Sequence, residues 1–168
     1  MPTVTFKMLF CFIVLSHDRR HILHFNVTAH PTAVWTARQI TEAFPFNDTP
    51  RFLIRDRDNI YGDAFRNRVS RMGIDEVPTA YRSPWQNCYV ERVIGSIRRE
   101  CLDHMIILSE GHLKRVLDEY AEYYNTVRPH QSLDCNSPLP REPEPPEMGR
   151  VISIPQVGGL HHRYTRAA

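Results

Sequence analysis

The chain has 168 residues, of which 42% are hydrophobic and 24% charged, a composition typical of a soluble globular protein. This length fits one domain with a hydrophobic core, and the formal net charge of +2 is too small to indicate a nucleic-acid partner by itself. The four cysteines show neither a C-x-x-C pair nor zinc-type spacing, which predicts free thiols in a reducing cytoplasm.

The first apolar run, residues 8–15, superficially resembles the core of a signal peptide. It is too short to span a membrane as a helix, and a charged turn follows it instead of a small-residue cleavage pattern. Its β-branched and aromatic side chains favour a buried strand. We therefore predict an antiparallel hairpin of strands 6–15 and 21–28, and we expect no membrane partner.

The next part of the chain alternates helical periodicity with short apolar runs that suit buried strands. Strands and helices in this order predict a mixed α/β fold. The predicted elements are a helix that begins at Pro31-Thr32, a strand over 52–55, a helix near 63–72 and a strand over 74–77, with a polar loop between Pro45 and Pro50.

A further helix is predicted to begin at Ser83-Pro84, because proline at a helix start has a suitable backbone angle and needs no donor. At about 100° per residue, Asn87, Glu91 and Arg98 lie within about 40° of one another at the edge of the apolar stripe of this helix. From that edge the three polar side chains can reach a cleft. The predicted stripe consists of Val90, Ile94, Ile97 and Cys101.

The C-terminal part begins with a helix capped by Ser109, whose apolar face includes Leu113 and Tyr120. Five prolines between residues 138 and 146 then exclude a helix and suggest an extended linker. We predict a core domain over residues 1–133 and a proline-rich linker with a short extension over 134–168. The apolar pieces of that extension suit either a small hairpin or a partner-binding arm, and the sequence leaves this choice open.

Two carboxylates stand out in this arrangement. Asp56 follows the strand over 52–55, and 34 residues separate it from Glu91. A strand-end aspartate and a helix glutamate can converge on one hard cation such as Mg²⁺, which takes one or two protein carboxylates. Each acid also has a plain structural interpretation, as a turn aspartate and as an exposed glutamate paired with Arg92 or Arg98, and spacing alone leaves this open.

At these residues the chain resembles the catalytic core of retroviral-type integrases and insertion-sequence transposases, over roughly residues 1–140. The resemblance implies an α/β fold of the ribonuclease-H-like type, a mixed sheet flanked by helices. That family uses two aspartates and a glutamate, the last two separated by roughly 35 residues. The matching motifs are Ser83-Pro84-x-x-Asn87-x-x-x-Glu91-Arg92 and Tyr124-Asn125-x-x-Arg128-Pro129-His130-x-x-Leu133.

The resemblance implies that Asp56 and Glu91 are catalytic residues that bind Mg²⁺ or Mn²⁺. The implied reaction is metal-dependent cleavage and strand transfer of DNA, with element ends and target DNA as partners, by a homo-oligomer in the cytoplasm. Asp58 is the rival to Asp56, because it lies 32 residues before Glu91. The longer gap favours Asp56.

The resemblance also implies DNA contacts along the glutamate helix and the loop before it. Arg98 either contacts phosphates or pairs with Glu91, and Asn87 either caps the helix or contacts the DNA end. Trp85 is expected to pack within the protein rather than to stack on a base. The residues expected at the DNA are Asn87, Arg82, Arg92 and Arg98.

One element of the family pattern is missing. The first catalytic aspartate of the family lies in its first strand, yet no aspartate precedes Asp18, which lies in the predicted hairpin turn. We therefore expect the first, central strand to be largely absent and the chain to be truncated at its N-terminus. Either the start codon lies upstream or the chain is a decayed fragment of a mobile element, and the sequence leaves both open.

Without the first carboxylate, we expect this chain alone to be incomplete as a DNA strand transferase and inactive in strand transfer. One alternative is a non-catalytic mobile-element remnant that retains DNA binding or self-association. A second is a nuclease of the same fold that hydrolyses DNA without joining it.

Overall fold

Three separate two-stranded sheets and four helices make up the computed structural model, which describes residues 1–45 and 48–167. The first sheet is the antiparallel hairpin of β1 (Phe10–Leu15) and β2 (Ile22–Thr28). The predicted hairpin is confirmed, although β1 begins four residues later than expected. Ahead of β1, Met1 accepts a hydrogen bond from Leu9 N at 2.8 Å, so the N-terminus folds back onto the hairpin.

The second sheet is a parallel pair, β3 (Phe52–Arg55) and β4 (Asp75–Pro78). Helix α1 (Ala33–Ala43) begins at Thr32, whose side chain accepts a hydrogen bond from Trp35 N. Helix α2 (Asp63–Arg71) connects the two strands, as a parallel pair requires a crossover. The predicted polar loop after Pro45 includes Phe46 and Asn47, which lie outside the described residues.

The helices α1 and α2 cover one side of these strands with their own apolar cluster. Ile40, Phe65 and Val69 are completely buried there, together with Phe12 and Val14 from β1. Removing such side chains from water is the main stabilising contribution to a core of this kind. The first hairpin and the β3–β4 pair are therefore joined through α1 and α2, and no strand bridges them in the described part of the chain.

Helices α3 (Cys88–Glu100) and α4 (Glu110–Thr126) cover the other side of the hairpin. Their larger cluster contains Val93, Ile97 and Tyr120, and Asn125 of α4 completes the polar contacts of β2. The Asn125 amide accepts from Ile22 N at 3.0 Å and donates to Ile22 O at 2.9 Å. These two bonds satisfy backbone groups at an irregularity in the hairpin register next to Leu15.

The predicted apolar stripe of α3 was only partly correct. The buried residues of this helix are Val93, Ser96 and Ile97, whereas Ile94 is 37% exposed. The buried face is thus turned away from Ile94 by about one residue, toward the apolar cluster that α3 shares with the first hairpin and α4. A short 3₁₀ turn over Pro84–Asn87 also precedes α3, so the helix begins at Cys88 rather than at the proline.

The third sheet is an antiparallel hairpin of β5 (Arg150–Gln156) and β6 (His161–Ala167). The sequence alone did not decide between a small hairpin and a partner-binding arm for this segment, and the structure shows a hairpin. Its turn residue Val157 is 3% exposed and belongs to the α3–α4 cluster, so this hairpin packs against the core. No helix within the described ranges combines the length and apolar character needed to cross a bilayer.

Candidate functional site

The two aspartates after β3 are exposed and are held by local hydrogen bonds. Asp56 Oδ1 accepts from the backbone N–H of Asp58 at 3.2 Å. Asp58 in turn caps a 3₁₀ turn, since its Oδ1 accepts from Ile60 N at 3.0 Å. Burial raises the pKa of Tyr61, and the charges of Asp56 and Asp58 raise it further. Both carboxylates therefore lie close enough to influence this largely buried tyrosine.

Glu91 lies in the first turn of α3, where a negative charge interacts favourably with the helix dipole. Its side chain is exposed, because the buried face of α3 points toward Val93 on the other side of the helix. The alternative of an ion pair from Glu91 to Arg92 or Arg98 is not observed among the described residues. The Glu91 carboxylate is thus free of an internal cationic partner in that part of the chain.

A single cleft of about 450 Å³ lies between the end of β3 and the start of α3. Arg55, the residue before Asp56, lines one side of it, and Tyr61 lies beside Arg55. Asn87, which precedes α3, and Val90, in its first turn, line the other side. The fold therefore brings the neighbours of both predicted acids to one cleft, while joint binding of one cation by the acids stays a prediction.

Of the predicted DNA-contacting residues, Asn87 lines this cleft, whereas the three arginines are not among its lining residues. Arg82, Arg92 and Arg98 are exposed, and Arg82 adopts a left-handed backbone conformation with φ of 55°. The Asn87 side chain makes no capping hydrogen bond to α3, although Asn87 occupies the capping position. Asn87 therefore does not cap the helix through its side chain. The other expected role of Asn87, contact with the DNA end, stays a prediction.

The expectation that Trp85 packs within the protein was wrong. Its side chain is 68% exposed, and the nearby Tyr81 is 76% exposed. The short 3₁₀ turn over Pro84–Asn87 lifts this part of the loop away from both apolar clusters. The Arg82 guanidinium lies 5.2 Å from the ring centroid of Tyr81, a cation–π contact on the protein surface.

Sequence reasoning missed two residues that line the cleft, Arg55 and His17. Arg55 lines it and forms an ion pair with Glu76 of β4, with both side chains largely buried. His17 also lines it, and its ring packs edge-on against Tyr89 of α3 at 5.2 Å. Nothing in the sequence spacing links His17 to Tyr89, because 71 residues separate them and only the packing of α3 on the hairpin brings them together.

Among the described residues there is no group of three or more histidine, cysteine, aspartate or glutamate side chains that could hold a metal ion. Two exposed carboxylates near one cleft still fit Mg²⁺, which leaves most of its coordination positions to water and phosphate oxygens. The donor set is therefore compatible with a weakly held cation and not with a closed metal cage.

Comparisons with known proteins bear directly on this arrangement. Residues 72–138 match the family model described as the integrase core domain. The chain is 26% identical over 145 residues to an uncharacterised 39.2 kDa protein of insertion element IS476 from Xanthomonas euvesicatoria, which covers 79% of this chain and 42% of that protein. It is 24% identical over 133 residues to an uncharacterised 31.7 kDa protein of insertion element IS407 from Burkholderia multivorans, covering 76% and 47% of the two chains.

The fold is similar to a chain in the structure of the simian T-cell lymphotropic virus intasome in complex with the PP2A regulatory subunit B56 gamma. The TM-score is 0.58 at 15% identity, and the match covers 92% of this chain and 59% of that one. The present chain spans less than half the length of the two curated relatives. Residues 72–138 are thus similar to integrase core domains, most of the chain is similar to insertion-element proteins, and the fold is of the ribonuclease-H-like type.

Proposed function

We propose that this chain serves DNA integration or transposition through a metal-dependent site formed by Asp56 and Glu91. The observation that supports this most directly is the shared cleft. Arg55 lines it beside Asp56, while Asn87 and Val90 line it beside Glu91. Asp56 and Glu91 are exposed, and each is next in sequence to a residue that lines this cleft. Neither has an internal cationic partner among the described ion pairs, which suits a functional role better than a structural one.

The proposed cofactor is Mg²⁺ or Mn²⁺, held by the oxygens of the two carboxylates. When bound at such a site, the ion promotes in-line phosphoryl transfer at a DNA phosphate. Asp56 comes from the end of a strand and Glu91 from the first turn of a helix, so neither acid depends on a long flexible loop. The backbone bond from Asp58 N fixes one Asp56 oxygen and leaves the other for a cation.

The proposed partner is DNA, bound through phosphate contacts from Arg82, Arg92 and Arg98, with Asn87 at the DNA end. Exposed guanidinium groups contact phosphates without reading the base sequence. These residues form none of the ion pairs found among the described residues. As in the retroviral-type and insertion-sequence family it resembles, we propose that the active form is a homo-oligomer.

Cation binding tests the two acids directly. We expect Glu91→Gln and Asp56→Asn each to weaken Mn²⁺ binding by at least tenfold, measured by paramagnetic line broadening or calorimetry. Asp58→Asn should weaken it less than Asp56→Asn. The matched control is Glu122→Gln, because Glu122 is an exposed helix glutamate on α4, away from the cleft.

Unchanged Mn²⁺ affinity in Glu91→Gln would show that this glutamate is not a ligand. A stronger effect of Asp58→Asn than of Asp56→Asn would show that Asp58, and not Asp56, is the ligand. We expect the chain by itself to show no strand transfer, because no three histidine, cysteine, aspartate or glutamate side chains among the described residues form a group that could hold a metal ion. Joining of DNA ends by the purified protein in Mg²⁺ contradicts that expectation.

The second candidate is a non-catalytic remnant that retains DNA binding or self-association. The lack of a three-ligand metal group among the described residues favours it. DNA binding that persists in a chelator, together with no detectable Mn²⁺ binding, identifies the remnant. In either case Arg98→Gln should weaken DNA binding to a similar extent for every DNA sequence. It should also reduce the slope of the logarithm of the binding constant against the logarithm of the salt concentration by about one.

A further inference from the structure

Arg57 lies between the two aspartates after β3, yet it forms an ion pair with neither of them among the described residues. Its guanidinium Nε instead donates a hydrogen bond to the backbone carbonyl of Thr79, at 2.7 Å. Thr79 directly follows β4 and is buried. The segment that carries Asp56 is thus tied to the start of the loop that leads to α3.

A second side chain, Gln86, holds the other end of this loop. Gln86 lies in the short 3₁₀ turn over Pro84–Asn87, directly before α3. Its Oε1 accepts a hydrogen bond from the backbone N–H of Ala80, at 2.6 Å. The loop also closes on itself, because Ser83 N donates to Ala80 O at 3.2 Å and Gln86 N donates to Ser83 O at 3.1 Å. The turn before α3 is therefore fixed to the backbone of Ala80.

The two side-chain hydrogen bonds meet at one peptide group. The carbonyl of Thr79 and the N–H of Ala80 belong to the same planar unit, and in a trans peptide they point in opposite directions. Arg57 thus holds one side of this unit and Gln86 holds the other. Because the unit is rigid, its rotation displaces both partners. This peptide group therefore links the segment after β3 with the turn before α3.

Simple stabilisation of the loop accounts less well for this arrangement. Thr79 N already donates to Arg55 O at 2.8 Å, which extends the bonding between β3 and β4 without either side chain. Arg57 and Gln86 are both exposed, and hydrogen bonds of exposed groups contribute only modestly to stability. Arg57 is next in sequence to Asp56, however, and Gln86 lies in the turn that leads into the helix of the second acid. The bridge is thus expected to affect the position of the acids more than the stability of the fold.

We propose that Arg57 and Gln86 are positioning residues, which hold Asp56 and Glu91 in the mutual arrangement that binding of one cation requires. They act through the peptide group that both side chains bond, and neither of them contacts the cation. This inference rests on the proposed function, because it concerns the same two carboxylates. Metal sites lose affinity when groups that orient the ligands are removed.

The first measurement reports the bridge itself, in the full 168-residue protein. Gln86→Met keeps the length of the side chain and removes the acceptor, so the Ala80 amide proton should exchange about tenfold faster by NMR. Gln86→Glu retains an acceptor oxygen and should keep the exchange slow. The amide of the buried Ile97 should exchange as in the parent, which shows that the fold is intact. The matched control is Gln131→Met, because Gln131 is an exposed glutamine in another 3₁₀ turn.

The second measurement is the affinity for Mn²⁺ by calorimetry, without DNA. Gln86→Met and Arg57→Met should each weaken Mn²⁺ binding by about tenfold, whereas Gln131→Met should leave it unchanged. Removal of the Arg57 charge beside Asp56 would by itself strengthen the binding of a cation, so a weaker affinity reports lost positioning. The double variant should bind no more weakly than the weaker single variant, since each change breaks the same bridge.

Three results overturn the inference. Unchanged exchange of the Ala80 amide in Gln86→Met shows that this hydrogen bond does not form in solution. Faster exchange with unchanged Mn²⁺ affinity shows that the bond is local and does not position the acids. Additive losses of affinity in the double variant show that Arg57 and Gln86 act separately. A parent protein that binds no Mn²⁺ overturns the proposed function and the positioning role with it, which distinguishes that failure from the other three.

Discussion

The two ends of α3 lie in opposite kinds of surroundings. At its C-terminal end, Glu100 accepts hydrogen bonds from Arg128 at 2.6 and 2.7 Å and from Tyr120 at 2.8 Å. There, His161 of the last hairpin also bonds the Glu100 carbonyl oxygen at 2.8 Å and stacks on Tyr123. At the N-terminal end, Glu91 is exposed beside a cleft with unpaired strand edges.

This difference separates acids that stabilise the fold from acids that are available for chemistry. Burial raises the pKa of Glu100, but the hydrogen bonds from Arg128 and Tyr120 outweigh it and hold the pKa below the usual glutamate value. The Glu100 carboxylate is thus committed to partners in its own chain. Three predictions test whether the two ends differ as strongly as this geometry indicates, and a fourth, at Asn125 of α4, provides an intermediate case.

The largest effect is expected at the C-terminal end of α3, here called the closed end because Glu100 is bonded there to its own chain. Glu100→Gln keeps the size of the side chain but leaves the partly buried Arg128 charge uncompensated, with both side chains about one quarter exposed. We expect the free energy of unfolding to fall by about 2–3 kcal/mol in chemical denaturation. Glu122→Gln, on the exposed face of α4, is the control and should change it by less than about 0.5 kcal/mol.

The same carboxylate predicts a pH dependence. Because the pKa of Glu100 is lower in the folded chain than in the unfolded one, its contribution is present above the usual glutamate pKa of about 4.3. It is lost as the pH falls through the folded pKa. The difference in stability between the parent and Glu100→Gln should therefore shrink below about pH 4, and a constant difference contradicts the assignment.

A smaller effect is expected at Asn125. Asn125→Ala removes both hydrogen bonds to the Ile22 backbone and leaves a buried N–H without its partner. We expect a loss of about 1–2 kcal/mol in the free energy of unfolding. Asn125→Asp provides a comparison, because it retains the acceptor for Ile22 N but loses the donor to Ile22 O. An Asn125→Ala variant as stable as the parent shows that water replaces the amide.

The smallest effect on stability is expected at the N-terminal end of α3, here called the open end because Glu91 is exposed there. Glu91→Gln should change the free energy of unfolding by less than about 0.5 kcal/mol, because the exposed carboxylate has no ion pair among the described residues. Thermal unfolding with and without Mn²⁺ separates stability from binding, since only the parent should be stabilised by the ion. A large loss of stability without Mn²⁺ would falsify the contrast between the two ends.

The open end was easier to predict from the sequence than the closed end. The strand over residues 52–55, the helix cap at Thr32 and the antiparallel first hairpin follow from local signals, and all are present. The convergence of Asp56 and Glu91 stays a prediction, although residues adjacent to both in sequence line one cleft. Local patterns suffice where a feature depends on neighbours in sequence.

The closed end depends on contacts that sequence spacing does not encode. Glu100 and His161 are 61 residues apart, and neither belongs to a motif. The predicted apolar stripe of α3 was only partly correct, because Val90 and Ile94 are as apolar as Val93, which is the residue that is buried. The sequence does not show which face packs against the cluster that α3 shares with α4 and the first hairpin.

The anchoring of α3 at Glu100 has a mechanical consequence. A helix of this length is stiff, and nine residues at about 1.5 Å each place Glu91 roughly 13 Å from the anchored end. Any displacement of the first turn must then pivot about the contact between Glu100 and Arg128. A shift of the first turn thus strains the contacts of Glu100 with Arg128 and with His161 of the last hairpin.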